Sequence, residues 1–156
     1  MPRNLSVEEQ LTNLQTMQHI MRVQQLMMTL VQNIQQRALV HDLSKLDDPE
    51  LPIFTEYTAK LKTVTYGSPE YKQFLVDMKP ALDNHYAQNS HHPEHHDQGI
   101  KGMTLLDVLE MLCDWKASTE RTKDGDIVKS LAIQKDRFGI SDELLAILHN
   151  TLREFE

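Results

Sequence analysis

Residues 6–37, SVEEQLTNLQTMQHIMRVQQLMMTLVQNIQQR, decide the fold. Ser6 followed by Glu9 has the spacing of a capping box, in which a hydroxyl and a carboxylate exchange hydrogen bonds with each other's backbone N–H. From there Leu11, Leu14, Met17, Met21, Met28 and Val31 recur at helical intervals. A second ridge, Val23, Leu26, Leu30 and Ile34, runs beside the first and widens the apolar face. The pattern predicts one long helix ending near Arg37, central to the protein, with its Met-rich stripe used for core packing.

The rest of the chain reads the same way. A short helical stretch over 39–45 must stop before Pro49, because the residue preceding a proline is pushed out of helical geometry. Leu51 to Lys62 is a further helix. Gly67-Ser68-Pro69 is a turn with Ser68 as N-cap and Pro69 at the first helical position. The following helix carries Phe74, Met78 and Leu82 on one face and meets a kinking residue at Pro80. Residues 89–102 are polar and His-rich, contain Pro93, Gly99 and Gly102, and read as a loop. Thr104 with Asp107 opens the next helix, whose apolar positions are Leu105, Val108, Met111, Leu112 and Trp115. After a turn at 123–126, two helices are expected: Ile127 to Phe138, stopped by Gly139, and one capped by Ser141 that runs to near Arg153. No alternating strand pattern, repeat or low-complexity tract competes, so the expected fold is all-α, a single-domain helical bundle over 1–156.

The totals narrow the function. The chain has 156 residues, long enough for one real core, and 25% of them are charged against 40% hydrophobic, as in an ordinary globular protein. Its formal net charge is −7 and no basic stripe appears, which argues against duplex nucleic acid as a partner. Apolar runs are interrupted well short of the roughly 18 residues of a membrane span, and residues 1–30 lack the layout of a secretory signal. No membrane association and a cytoplasmic location are therefore expected. Cys113 is the single cysteine, so neither an intramolecular disulfide nor a Cys-based zinc site can form. Beside Leu112 it reads as a small core residue.

Eight histidines are many for this length, and their placement carries the chemistry. His19 shares a ridge with Val23, Leu26 and Leu30, and His85 extends the ridge of Phe74, Met78 and Leu82, so both are expected to face inward. His41 and Asp42 stand together, and Asp114 lies close to Met111 around its helix at about 100° per residue. An imidazole, a His-Asp pair and a distant inward carboxylate form a mixed N/O set suited to zinc, manganese, iron or, less readily, magnesium.

In that order, His, then His-Asp, then Asp on separate helices, the sequence resembles the HD-domain superfamily of metal-dependent phosphohydrolases. The resemblance spans Gln18 to Trp115. It implies that His19 is the first helical ligand, His41 and Asp42 the name-giving pair, and Asp114 the last carboxylate. His41-Asp42-Leu43-Ser44-Lys45 is similar to the HD-x-x-K form in which the lysine sits beside the reacting phosphate, so Lys45 and Asp42 are the expected catalytic residues. Two-metal members take two more histidines from the region of residues 85–96, here His85 and His92, with His91 and His95 next in line. The strings H-x5-HHPEH and EMLCDW also resemble small proteins of unassigned function.

The implied cofactor is one or two divalent ions, drawn from Mn, Fe, Zn, Co or Mg. The implied substrate is a phosphate ester, foremost a nucleotide, with Arg22 and Arg137 as guanidinium contacts to phosphate or as surface salt-bridge partners. The Gly-Tyr-Pro extension of the cyclic-dinucleotide branch is missing after His96, so that substrate is not carried over. Asp107 has a capping role, Glu110 could orient a metal-bound histidine or face water, and His149 reads as a surface residue. Rival readings are a di-iron oxygenase on the same ligands, a nucleotide-binding module without turnover, and a structural metal site in an interaction domain. The oligomeric state stays open.

Overall fold

The computed structural model describes residues 3–61, 63–64, 68–121 and 123–155. Lys62, the expected end of one helix, and Gly67, in an expected turn, lie outside the described residues. Among those described the chain is all-α, with no strand and with seven α-helices: α1 (Val7–Val40), α2 (Glu50–Leu61), α3 (Pro69–Asp77), α4 (Lys79–Gln88), α5 (Leu105–Glu120), α6 (Ile127–Phe138) and α7 (Asp142–Thr151). No helix among them is long and apolar enough to cross a membrane. The chain divides into two compact units, Met1–Leu39 and Val40–Glu156.

The first unit is essentially α1. Ser6 and Glu9 form the expected capping box: the Glu9 carboxylate accepts from the Ser6 N–H at 2.8 Å, and the Ser6 hydroxyl accepts from the Glu9 N–H at 3.2 Å. The core role expected for the Met-rich stripe is not observed. No residue of α1 is buried, and Leu14, Met17, Met21 and Leu30 are all more than half exposed. The physical reason lies within the unit itself, since one helix has nothing of its own to close over an apolar face. The helix also runs to Val40, absorbing the first two residues of the short segment expected over 39–45, because no helix breaker stands between Arg37 and Val40.

In the second unit Met111, Leu112 and Trp115 of α5 meet Leu131 of α6, Leu148 of α7 and Ile140 between those two helices in one buried cluster. The Trp115 ring stacks on Phe138 with centroids 6.1 Å apart and planes 6° from parallel. Cys113 corrects the sequence reading: it is exposed, because the buried face of α5 follows 111, 112 and 115 and residue 113 falls off it. Leu105, at the N-terminal end, is also exposed.

The expected Phe74–Leu82 helix breaks into α3 and α4 at Met78, two residues before Pro80. Proline cannot donate to the carbonyl four residues back and its ring crowds that carbonyl. Met78 closes α3 with its N–H on Phe74 and Val76 carbonyls, and α4 restarts. The break leaves Met78, Ala81 and His85 buried on one side. Caps at Ser68, Thr104, Asp126 and Ser141 fall where the sequence put three of them, and Gly139, at φ 63°, ends α6 in the left-handed conformation that glycine adopts freely.

Candidate metal centre

Between α1 and α2 the backbone turns sharply at His41-Asp42. Asp42 has φ 56° and ψ 14°, left-handed geometry that aspartate tolerates better than most side chains, and a 3₁₀ turn over Leu43–Leu46 follows. This turn places His41, Asp42 and Lys45 side by side. Lys45 Nζ donates to Asp42 Oδ2 at 2.5 Å.

The second arm is the loop after α4. Proline at 93 and two 3₁₀ turns, Pro93–His95 and Gly99–Gly102, make it compact. His95 and His96 belong to none of the groups of converging ligand atoms among the described residues, and they pin the loop instead. His95 Nδ1 donates to the Tyr86 carbonyl at 2.7 Å, and His96 Nε2 donates to the Ser90 carbonyl at 2.8 Å. A side chain at Gly102 would strike His96, its Cβ falling 2.8 Å from that of His96, so only glycine fits there.

Asp107 ties this loop to α5. Its Oδ2 accepts from the Thr104 N–H and hydroxyl at 2.7 and 2.6 Å, completing the capping box. Its Oδ1 accepts from the Ser90 hydroxyl at 2.6 Å, and Ser90 adjoins His91. The carboxylate that completes the cap of α5 is therefore also tied to the residue next to His91, whose ring faces Glu110.

Among the described residues, three overlapping groups bring ligand atoms within 4.8 Å of one another: Asp42, His85, His91 and His92; His41, His91 and Glu110; and His41, Asp42 and Asp114. The Nε2 atoms of His41, His85 and His91 stand 3.5, 3.4 and 3.5 Å from Asp42 carboxylate oxygens. His92 Nε2 is 2.8 Å from His85 Nε2, and Asp114 Oδ1 is 3.9 Å from His41 Nε2. The opposite ring nitrogens face other carboxylates. Glu110 Oε1 accepts from His41 Nδ1 at 3.0 Å and lies 3.2 Å from His91 Nδ1. Glu50 Oε2 accepts from His85 Nδ1 at 2.9 Å. A carboxylate only accepts, so each ring bonded to one carries its hydrogen on Nδ1 and turns the Nε2 lone pair towards Asp42.

Two atoms in this cluster are buried without a hydrogen-bond partner among the described residues: Asp42 Oδ1 and His91 Nε2. Buried polar atoms are normally satisfied, and here the orphans are both Lewis bases aimed at the same space. That is the fit expected of a cation site, and the His, Asp and Glu side chains are close enough to hold a metal ion.

The electrostatics agree. Burial lowers the affinity of His85, His91 and His92 for a proton, and the neighbouring imidazoles His91 and His85 add to burial in pushing His92 down to about 3. Burial alone would raise Asp42, but the hydrogen bond and charge of Lys45 outweigh it and hold the carboxyl below its ordinary value. At neutral pH the centre thus offers unprotonated imidazoles and an ionised carboxylate, the forms that ligate metals.

Of the residues singled out from sequence, His41, Asp42, Lys45, His85, His92 and Asp114 come together here. His91 ranks with them, and Glu110 stands behind two rings. His19 and Arg22 lie on α1 in the first unit. Both are exposed, contrary to the inward orientation expected for His19, since nothing within that unit covers its ridge. Arg22 donates to Gln25 at 3.3 Å. Arg137 pairs with Glu94 at 2.7 Å, on the outer side of the histidine loop, and His149 is half-buried rather than on the surface. Glu50 was missed because a glutamate opening a helix is ordinary in sequence; its total burial is visible only after folding.

No curated protein and no solved structure matches the chain. A family profile matches residues 8–154, nearly the whole sequence, and the chain belongs to that family, the family of unknown function DUF5662.

Proposed function

We propose that the protein is a metal-dependent phosphohydrolase of the HD type, acting on a phosphate ester, foremost a nucleotide. The observation that carries this reading is the convergence of imidazole Nε2 atoms on Asp42, with Asp42 Oδ1 and His91 Nε2 buried and unsatisfied. His41, Asp42, His85, His91, His92 and Asp114 would hold one or two divalent ions. Such an ion supplies Lewis acidity, lowering the pKa of water and taking up charge on a phosphoryl oxygen.

The protein's own side chains supply the rest. Lys45 is partly exposed, its side chain 41% accessible, while its ammonium stays anchored on Asp42. It can meet a phosphoryl oxygen or the departing oxygen without leaving the site. Burial and the neighbouring imidazoles push His92 down to about 3, which suits a ligand, and the Lys45 ammonium beside Asp42 is the group we assign to the departing oxygen. The His41-Asp42-x-x-Lys45 and Asp114 part of the resemblance supports the same reaction class.

The test is a screen of phosphate esters and nucleotides with metal-free, full-length protein reconstituted with Mn, Co, Zn, Mg or Fe. Metal-dependent hydrolysis that His41→Ala combined with Asp42→Ala abolishes is the expected result. Hydrolysis surviving in that double variant sinks the reading. The N/O ligand set also suits iron. Oxygen uptake by the iron form without phosphate release would make it an oxygenase, and stoichiometric nucleotide binding without product would make it a binding module.

A further inference from the structure

We infer that Glu50 is a positioning residue for this centre: its buried carboxylate holds His85 as the Nδ1–H tautomer and so aims the Nε2 lone pair at Asp42 and His92. The inference rests on the metal-site reading above and concerns how the protein prepares that site.

Glu50 is the first residue of α2 and is 0% exposed. Neither of its oxygens is wasted. Oε1 accepts from Asn84 Nδ2 at 2.8 Å, and Oε2 accepts from His85 Nδ1 at 2.9 Å. Asn84 and His85 are consecutive on α4, so one carboxylate fixes both the azimuth of that helix and the rotation of the imidazole.

Desolvating a carboxylate is costly, and an apolar side chain of similar volume would fill the same space without that penalty. Packing alone therefore does not explain an acid at this position. A histidine that must keep one nitrogen bare does explain it, because an acceptor on the other nitrogen decides the tautomer.

Other groups near Nδ1 do not compete. Asn89 Nδ2 approaches it to 3.1 Å, but that amide has two hydrogens, spent on the His85 carbonyl at 2.8 Å and the Ser44 hydroxyl at 2.9 Å. Ser44 Oγ is itself 3.4 Å from Nδ1, a weaker approach than that of Glu50. Glu50 is thus the group that dictates where the His85 hydrogen sits. It plays for His85 the part that Glu110 plays for His41.

The experiment compares the full-length wild type with Glu50→Gln and Asn84→Ala. Imidazole nitrogen NMR of the metal-free chains reads the tautomer, and competition with a chromophoric chelator reads Zn(II) affinity. Glutamine has the same shape but offers either an oxygen or an N–H to Nδ1. Glu50→Gln is therefore expected to give mixed His85 tautomers and Zn(II) binding weakened by about 10-fold or more. Asn84→Ala removes the other hydrogen bond of the carboxylate and should leave tautomer and affinity within about two-fold of wild type, whatever it does to stability. A pure Nδ1–H tautomer with unchanged Zn(II) affinity in Glu50→Gln overturns the inference, as do equal losses in both variants, which would make Glu50 a clamp between α2 and α4. A wild type that binds no Zn(II), Co(II) or Mn(II) overturns the metal-site reading instead, and this inference with it.

Discussion

The Nε2 atoms of His85 and His92 lie 2.8 Å apart. With the His85 hydrogen committed to Glu50 through Nδ1, the Nε2 of His85 can only accept, so in the metal-free protein His92 must donate from its own Nε2. A cation placed among these rings would replace that single shared hydrogen and draw on both lone pairs.

His92→Ala should therefore weaken divalent-metal binding by about 10²-fold or more, since losing even an outer-shell partner costs 10- to 100-fold. His95→Ala, three residues on, should leave metal affinity unchanged, because its imidazole is outside the groups of converging ligand atoms and ties the loop to the Tyr86 carbonyl. Isothermal titration of both variants checks the contrast; equal effects would rule out the assignment of ligands within the loop.

Acid should destabilise the metal-free protein. His92 titrates near 6.5 when unfolded and near 3 when folded, so between those values the unfolded chain holds more protons and stability falls as pH falls. The depressed His85, His91 and Asp42 act in the same direction, the last only as pH drops through the carboxylate range. Urea denaturation at pH 8, 6.5, 5 and 4 should show a flat stability above about 6.5 and a steady loss below it. His92→Ala should make that loss shallower.

Lys45→Met keeps much of the side-chain volume while removing the ammonium that pairs with Asp42. The expected outcome is a kcat on a phosphate ester lowered by roughly 10²-fold, the scale of losing one charge-stabilising donor. Metal content should stay close to wild type, since Lys45 is no ligand. A normal kcat in the variant would remove Lys45 from the mechanism.

Asp107→Ala should lose about 2 kcal/mol, combining a helix cap with a buried hydrogen bond to Ser90. Because Ser90 adjoins His91, metal binding should also weaken, whereas Ser141→Ala, which removes only the cap of α7, should cost stability alone. Parallel urea and metal titrations separate the two effects.

Local order was legible in the sequence because it depends on near neighbours. The capping pairs Ser6–Glu9 and Thr104–Asp107, the N-caps Ser68 and Ser141, and Gly139 as a stop are each fixed by residues within one turn of the chain. Pro80 announced a kink, and the structure turns it into a full break at Met78. His41-Asp42-x-x-Lys45 and the His-rich loop stood out as chemistry-bearing strings for the same local reason.

What the chain alone determined, then, is an all-α protein and a short roster of ligand types, since helical period, caps and donor chemistry are properties of neighbouring residues. Only the tertiary structure decided which of the loop histidines face Asp42, that Glu110 and Glu50 stand behind them, that Cys113 is outside the core and that His19 is exposed on α1. These are distances and burials between side chains remote in sequence. They follow from the packing of whole helices and the fold of one loop, which no local pattern encodes.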